Sequence, residues 1–244
     1  MKLEIRNLLK KFNSIVAVDN INFEIEENKT LGLLGPNGCG KTTSIGMMLG
    51  LIAPTSGQII INEIRLEQKN RIELLSLMNF ASPYIELPKK LTVKQNLEIY
   101  ARLYGVKKIS DRISEMTEDL NLKDFLNKKT GELSSGQKNR VSLAKSLINK
   151  PKLLFLDEPT ASLDPDVGDF VREYLEKYKE NNDLTMLLAS HNMKEVERLC
   201  DSIVMMKQGK LVDKGTCNEL MKKHGRKNLE DTFLKIARDK NELE

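Results

Sequence analysis

A glycine-rich loop between an apolar segment and a helical pattern constrains the fold most strongly. Residues 35–42 read GPNGCGKT and fit G-x-x-x-x-G-K-[ST], after the apolar run Leu31–Leu34 and before the helix-like Thr43–Leu51. Glycines let backbone N–H groups turn toward phosphate oxygens, and a following helix N-terminus favours negative charge. This context predicts a nucleotide-binding loop; the alternative is a strand-to-helix turn that binds nothing.

Every residue of this loop, together with Thr43 after it, is predicted to contact a bound nucleotide. Lys41 can reach the β- and γ-phosphates and is counted among the catalytic residues, while the Thr42 hydroxyl can ligate Mg²⁺. The predicted nucleotide-binding residues of the loop are Gly35, Pro36, Asn37, Gly38, Cys39, Gly40, Lys41, Thr42 and Thr43.

Composition narrows the class of protein. The chain has 39 basic and 35 acidic residues, a net charge of +4 that is too small and too evenly spread to predict a nucleic-acid partner. An odd number of distant cysteines (Cys39, Cys200 and Cys217) indicates reduced thiols in a cytosolic setting. Neither a signal peptide nor an apolar run of ~20 residues is evident, so a role at a membrane would need another protein.

Apolar segments of strand length alternate with helical patterns, which predicts an α/β fold. Continuous apolar runs before loops are typical of strands buried on both faces of a parallel sheet. Residues 85–150 show helical patterns and predict an inserted helical subdomain. The predicted strands are Leu3–Ile5, Ile21–Ile25, Leu31–Leu34, Gln58–Ile61, Leu153–Leu156, Leu184–Ala189 and Ser202–Met206, and the predicted helices are Thr43–Leu51, Val93–Leu103, Val141–Ile148, Val167–Tyr178 and Lys194–Leu199.

Two adjacent acids follow the apolar strand Leu153–Leu156. Asp157, leaving the sheet beside the phosphate loop, is predicted to hold Mg²⁺ directly or through water. Glu158 is predicted to act as the general base that polarises the attacking water. A solvated turn or a helix N-cap is the alternative for such a pair, and the upstream phosphate loop makes that alternative the weaker one.

The segment Leu133-Ser-Ser-Gly-Gln137 resembles the LSGGQ signature of ATP-binding cassette (ABC) ATPases. Ala161-Ser-Leu-Asp164 resembles the D-loop of that family, and His191 follows a predicted strand where the family has its switch histidine. Residues 17–43 read like the N-terminal half of the family, and the resemblance covers roughly residues 1–215 in the expected motif order. A serine that merely caps the next helix is the alternative for the signature.

The resemblance implies a P-loop NTPase core with a parallel sheet, an N-terminal antiparallel β region and an inserted ABC-type helical subdomain. All 244 residues would form one ABC ATPase domain. Residues 1–84 and 151–215 would be its RecA-like core with the β subdomain, 85–150 the helical subdomain with the signature, and 216–244 a C-terminal helical tail.

The resemblance also implies roles for single residues. Two cassettes would face each other head to tail, so that the signature of one lies across the interface from the ATP bound by the other; its residues are Ser134, Ser135, Gly136 and Gln137. Ser134 and the Gly136 backbone would donate to the γ-phosphate of that ATP. Asp164 would join the two sites, and His191 would sense the γ-phosphate as a third catalytic residue with Glu158 and Lys41. Phe12 would stack on adenine, with ordinary core packing as the alternative.

Two positions depart from the family pattern. Ser135 replaces a glycine of the signature, and the glutamine of the family's Q-loop is missing where Ser82 or Pro83 stands. Either Ser82 substitutes at Mg²⁺, or hydrolysis is slower than usual. Tyr84 and Ile85 in the same loop are expected either to line a groove for a partner helix or to pack in the core.

These observations predict the ATP-hydrolysing subunit of an ABC transporter. Its expected partners are a separate transmembrane permease subunit and a second, identical or different, ATPase subunit, which would hold it at the inner face of the cell membrane. The segment Asn228–Lys235 resembles the C-terminal ending of single-cassette exporters and favours export; a capping helix is the structural alternative. A soluble ABC ATPase of cofactor assembly is the second hypothesis, whereas a nucleotide kinase or GTPase leaves the signature, Asp164 and His191 unexplained.

Overall fold

The computed structural model describes residues 1–83, 86–161 and 163–238, excepting the side chains of residues 237 and 238. It divides into two compact units: residues 1–74 with the chain from 185 onward form the first unit, and residues 75–184 form the second. In chain order the described elements are β1 (Leu3–Phe12), β2 (Ile15–Ile25), β3 (Thr30–Leu34), α1 (Lys41–Met48), β4 (Ser56–Ile61), β5 (Ile64–Arg65), α2 (Arg71–Ser76), β6 (Met78–Ala81), α3 (Val93–Leu103), α4 (Ile109–Asp119), α5 (Ser135–Leu147), β7 (Leu153–Asp157), α6 (Pro165–Asn182), β8 (Thr185–Ala189), α7 (Met193–Leu199), β9 (Ser202–Lys207), β10 (Lys210–Gly215), α8 (Cys217–His224) and α9 (Leu229–Arg238).

The first unit contains an antiparallel sheet and a set of mainly parallel strands. β1 pairs antiparallel with both β2 and β4, in the order β2-β1-β4-β5. β3 lies between β8 and β9 and runs parallel to both, and β10 pairs antiparallel with β9. All five residues of β3 are buried, as expected for a parallel strand covered on both faces. The predicted N-terminal antiparallel region and the α/β class are therefore confirmed.

The second unit carries a parallel strand pair and the helices α3 to α6. β6 pairs with β7 from Met78↔Leu153 to Ala81↔Leu156. Between residues 86 and 150 the described chain forms α3, α4 and α5 and no strand, as the sequence predicts. None of the described helices, in either unit, is long and apolar enough to cross a membrane.

The C-terminal helices belong to the core of the first unit. α8 and α9 contribute to one buried apolar cluster with β3, α7 and β9: Leu34, Val196, Ile203, Met205, Leu220, Leu229 and Ile236. The buried side chain of Lys207 donates to the carbonyl of Ile236 at 3.1 Å. The segment Asn228–Lys235 therefore forms a packed amphipathic helix, which was the structural alternative to an exporter ending.

A buried aspartate fastens α8 to β10. The side chain of Asp213 is 5% exposed and accepts from the Lys223 ammonium at 2.7 Å, and its second oxygen lies 2.6 Å from Nε2 of His224. Burial raises the pKa of this carboxyl, but the hydrogen bonds from Lys223 and His224 outweigh burial and hold the pKa below its ordinary value. The stabilisation is thus present above the unfolded-state pKa and lost as pH falls through the folded-state pKa.

Asp213→Asn is expected to lower the free energy of unfolding by about 1–3 kcal/mol near neutral pH, because the amide removes the negative charge and replaces one of the two acceptor oxygens by an N–H donor. Below the folded-state pKa the wild-type carboxyl is protonated and neutral, like the amide of the variant, so the difference in free energy of unfolding between the two proteins shrinks. Urea unfolding at about pH 7 and over a series of falling pH values, through the unfolded-state and then the folded-state pKa of the carboxyl, measures both effects. Equal urea midpoints at neutral pH would contradict this assignment.

Candidate functional site

The phosphate loop passes directly into α1 in the first unit. Gly40 is the N-cap residue with φ 110°, a left-handed conformation that favours glycine, and it has no side chain with which to cap the helix. The first N–H groups of a helix have no partner within the helix. The start of α1 therefore presents backbone donors and the positive end of the helix dipole, as a phosphate group requires.

Two glycines let the loop approach neighbouring backbone closely. A Cβ atom on Gly35 would lie 2.3 Å from the carbonyl oxygen of Met206 and 2.4 Å from Sγ of Cys39. A Cβ atom on Gly40 would lie 2.4 Å from the carbonyl oxygen of Ala17. At both positions these distances are too short for a Cβ atom, so only glycine fits without a shift of the backbone. The glycines thus pack the loop against β9 and β2 and also permit its curvature.

Lys41 places its ammonium group inside the loop. Nζ donates to the carbonyl oxygens of Gly35 at 2.6 Å and Pro36 at 3.2 Å, and lies 4.0 Å from Sγ of Cys39. Hydrogen bonds between an ammonium group and anionic oxygens are stronger than those to neutral carbonyls. Phosphate oxygens would therefore compete well for this ammonium group.

Cys39 is a buried packing residue of the loop. Its side chain is 3% exposed, and burial raises the pKa of the thiol although nearby Lys41 opposes the shift. A thiol of raised pKa carries little thiolate at neutral pH and reacts slowly. The structure therefore gives Cys39 a role in holding the shape of the loop rather than in chemistry.

The turn between β9 and β10 is hydrogen-bonded to the phosphate loop, a contact that the sequence does not predict. The N–H of Gly209 donates to the carbonyl oxygen of Cys39 at 2.9 Å, and the carbonyl of Gly209 accepts from the N–H of Asp19 at 2.8 Å. Gln208 and Gly209 both have positive φ, which is typical of a tight hairpin turn. The Gln-Gly pair was the available signal, but it predicts only a turn and gives no hint of the partner.

Phe12 lies at the end of β1 with 45% of its surface exposed. Nζ of Lys10 lies 4.8 Å from the centre of its ring. The alternative assignment of Phe12 to the core is therefore wrong. An exposed aromatic face is what stacking on adenine requires, and the stacking itself stays a prediction.

His191 is exposed between β8 and α7, and the residues on either side fix its backbone. The buried Ser190 hydroxyl donates to Glu195 at 2.5 Å and accepts from the N–H of Asn192 at 3.1 Å. Asn192 caps α7 by accepting from the N–H of Glu195. Ser190 and Glu195 are supporting residues that the sequence analysis did not find, because this hydrogen bond depends on how the turn folds.

The two predicted acidic residues of the second unit lie at the end of β7, where Asp157 is the last residue of the strand and Glu158 follows it. Asp157 is 8% exposed, and Glu158 has φ 54°, a left-handed conformation that costs a non-glycine residue about 1–3 kcal/mol. The carbonyl of Glu158 accepts from the N–H of Ala161 at 3.0 Å, which closes a turn directly after the strand. Non-glycine residues in this conformation concentrate at functional sites, so the backbone geometry agrees with a special role for Glu158.

Ser82 lies at the same edge of the strand pair as Asp157. Ala81 pairs with Leu156, so the next residues, Ser82 and Asp157, leave neighbouring parallel strands together. Ser82 is 4% exposed, and Pro83 begins a turn. Tyr84 and Ile85, the residues expected in a partner groove or the core, lie outside the described residues.

The oxygen donors fit Mg²⁺. Within residues 1–83, 86–161 and 163–238, no three His, Cys, Asp or Glu side chains are grouped as a metal site. In the second unit the Asp157 carboxylate and the Ser82 hydroxyl are hard oxygen donors, and in the first unit the Thr42 hydroxyl is another. Mg²⁺ prefers such donors and typically takes only one or two carboxylates from protein.

The signature forms the N-terminus of α5. The hydroxyl oxygen of Ser134 accepts from the N–H of Gln137 at 3.3 Å, and the Gln137 side chain accepts from the N–H of Ser134 at 3.1 Å. The capping alternative is thus confirmed. It is compatible with ligand binding, because a hydroxyl that accepts one hydrogen bond still has its O–H to donate.

The serine that replaces a glycine in the signature causes no strain. Ser135 is the first residue of α5 and is exposed, with an ordinary helical backbone that any residue adopts. A Cβ atom on Gly136 would lie 3.4 Å from Val167 of α6, an ordinary contact distance. Asp164 is the exposed N-cap residue of α6, and its carboxylate makes no capping hydrogen bond within the described part of the chain.

The predicted residues thus fall into two groups. The first unit holds Phe12, the phosphate loop and His191. The second unit holds Ser82, Asp157, Glu158, the signature 134–137 and Asp164.

Comparison with known proteins identifies the family. The ABC transporter family matches residues 18–161, more than half of the chain. An uncharacterised ABC transporter ATP-binding protein of Bacillus subtilis strain 168, YxlF, is 36% identical over 225 residues, 89% of this chain and 72% of the relative. The Nod factor export ATP-binding protein I of Rhizobium sp. strain N33 is 32% identical over 224 residues, 91% of this chain and 73% of the relative.

A solved structure shares the fold. It is a dimeric, post-hydrolysis ATP-binding cassette bound to ADP and Pi, with a TM-score of 0.80 and 25% identity over 88% of this chain and 98% of that one. With the family match and the phosphate loop, this likeness shows an ATPase. The chain belongs to the ABC transporter family, as an ATP-binding and ATP-hydrolysing subunit.

Proposed function

We propose that two such cassettes close head to tail around ATP and thereby drive a separate transmembrane permease subunit. The observation that carries this proposal is the exposed N-terminus of α5, where Ser134 and Ser135 face solvent. The Ser134 hydroxyl keeps its proton for a further acceptor, and the helix end favours an anion. Such a helix end suits the γ-phosphate of a nucleotide held by another molecule.

The residues of each subunit divide the chemistry of hydrolysis. Lys41 and the loop glycines orient the phosphates, Glu158 takes a proton from the attacking water, and His191 contacts the γ-phosphate. Thr42, Asp157 and Ser82 are the residues that would hold Mg²⁺. When bound, Mg²⁺ neutralises charge on the phosphates. Asp164 joins the two nucleotide sites, and Phe12 stacks on adenine.

Closure of the dimer follows from a difference in the affinity of ATP for the closed and the open form. Contacts from the signature to the γ-phosphate exist only when two cassettes meet, so ATP binds the closed dimer more tightly than the open form. Loss of the γ-phosphate removes that difference and lets the dimer open. The subdivision into core (1–84 and 151–215), helical subdomain (85–150) and tail (216–244) is part of this proposal.

The second unit offers a surface for the permease. A cavity of about 360 Å³ is lined by Pro83, Leu87 and Leu133, among other residues. It adjoins the loop that replaces the family's Q-loop. We infer that this loop contacts the membrane subunit and holds the ATPase at the inner face of the cell membrane.

Export is the direction that the comparison favours. The relative from Rhizobium is named for Nod factor export, and the chain covers most of its length. The segment Asn228–Lys235 packs in the core of the first unit, and this packing is compatible with its resemblance to the ending of single-cassette exporters.

Copurification tests the proposal. A tagged Glu158→Gln chain, which should trap ATP, is isolated from solubilised membranes of its native cell with and without MgATP. We expect a multispanning membrane protein in both eluates and a second ATPase subunit enriched by MgATP. A Lys41→Ala chain serves as the control and should keep the membrane protein but lose the MgATP effect. A soluble assembly with no membrane protein would overturn the permease assignment in favour of cofactor assembly.

A further inference from the structure

A buried asparagine joins the signature helix to the loop after β7. Asn139 is 8% exposed, and its Nδ2 donates to the carbonyl oxygen of Pro159 at 2.6 Å. Residues three apart lie on one face of a helix, so Asn139 follows Gly136 on the same side of α5. Both residues belong to the second unit, as does the loop after β7 that Asn139 contacts.

The loop that Asn139 holds contains the strained residue of the site. Glu158 has φ 54°, and the next residue is a proline, which lacks an N–H with which to anchor its own backbone. A non-glycine residue keeps a left-handed conformation only where its surroundings hold it there. The hydrogen bond from Asn139 to the Pro159 carbonyl fixes the Pro159–Thr160 peptide group, which is the second peptide group after the strained residue.

We propose that Asn139 is a positioning residue that holds Glu158 in its working orientation and couples it to the signature helix. This inference rests on the proposed head-to-tail arrangement of two cassettes. In that arrangement α5 contacts the ATP of the partner, whereas Glu158 acts on the ATP of its own subunit. Asn139 then transmits a shift of the first turn of α5 to the general base, and so links the two nucleotide sites within one chain.

The donor can be removed without changing the shape of the side chain much. Asn139→Leu keeps the branch at Cγ and loses the N–H donor, while Asn139→Gln keeps a donor on a longer side chain. We expect Asn139→Leu to lower kcat for ATP about 10–100-fold, because small displacements of a catalytic group are costly, with Kd for MgATP changed less than threefold. Asn139→Gln should recover most of kcat.

A second buried asparagine of the same unit serves as the matched control. Asn96 is 1% exposed and donates to the carbonyl oxygens of Pro88 and Thr92. Asn96→Leu removes a buried amide of the same kind, and turnover per folded molecule should stay within about threefold of wild type. An equal loss of turnover in both variants would show that general destabilisation explains the effect, and would overturn the proposal.

Dimerisation separates this inference from the function on which it rests. Glu158→Gln alone should dimerise with MgATP, and if it stays monomeric, the head-to-tail proposal itself fails. If it dimerises, the double variant Glu158→Gln with Asn139→Leu should dimerise equally well, because the signature is intact. Loss of dimerisation in the double variant, or unchanged kcat in Asn139→Leu, would overturn the positioning role.

Discussion

Replacing Glu158 with glutamine is expected to lower kcat for ATP hydrolysis by about 10²–10⁴-fold, the usual contribution of a general base. Glutamine matches the size of glutamate but takes no proton from water. ATP affinity should change little, because the phosphate loop lies in another part of the chain. Release of inorganic phosphate under saturating MgATP measures kcat, and equilibrium binding of ATP measures affinity.

The control for this variant is an exposed glutamate of the same unit. Glu118 lies near the end of α4, so Glu118→Gln removes one charge without touching β7 or its loop. Its turnover should stay within about twofold of wild type, as is usual for surface changes. Turnover above about a tenth of wild type in Glu158→Gln would show that another residue is the base.

Gly35→Ala is expected to weaken ATP binding about 10–100-fold. The added methyl would lie 2.3 Å from the backbone carbonyl of Met206, so the loop or β9 must move. Overpacking of this kind costs about 1–3 kcal/mol, and each 1.4 kcal/mol is about tenfold in affinity. Titration of the purified subunit with ATP measures Kd, and thermal unfolding measures the loss of stability.

Gly38→Ala is the matched control in the same loop. Gly38, unlike Gly35, has positive φ, at 77°, and a Cβ atom there would meet no described atom within 4 Å. Only backbone strain remains, so its effect on Kd should be smaller than that of Gly35→Ala. If Gly38→Ala weakens binding as much, the close approach of the loop to Met206 is not what sets the affinity.

Secondary structure was predictable where one strand or helix carries its own pattern. β3 and β7 are continuous apolar runs, and the structure confirms both. β6 was missed because its four residues, Met78–Ala81, lack β-branched side chains and become a strand only by pairing with β7. α5 begins at Ser135, six residues before its apolar pattern begins at Val141, and Ser134 caps it, as the capping alternative for the signature predicts.

The site was predictable where a motif is contiguous. The phosphate loop and the two acidic residues could be predicted from residues adjacent in the sequence, because each motif directly follows its own strand. Gly209 and Asn139 could not, because their roles depend on partners far away in the sequence, at Cys39 and Pro159. The left-handed backbone of Glu158 gives no sequence signal either, because glutamate is not a residue that favours it.

The pairing of β3, the strand that leads into the phosphate loop, determines when this part of the chain can fold during translation. Both neighbours of β3 are made late: β8 begins at Thr185, and β9 begins at Ser202. A ribosome adding about 5–20 residues per second thus exposes the phosphate loop well before β8 and β9 are available to pair with β3. The unit formed by residues 75–184 is continuous in sequence and is complete first. We therefore expect a nascent chain to acquire affinity for ATP only near the end of translation, once Gly209 has emerged.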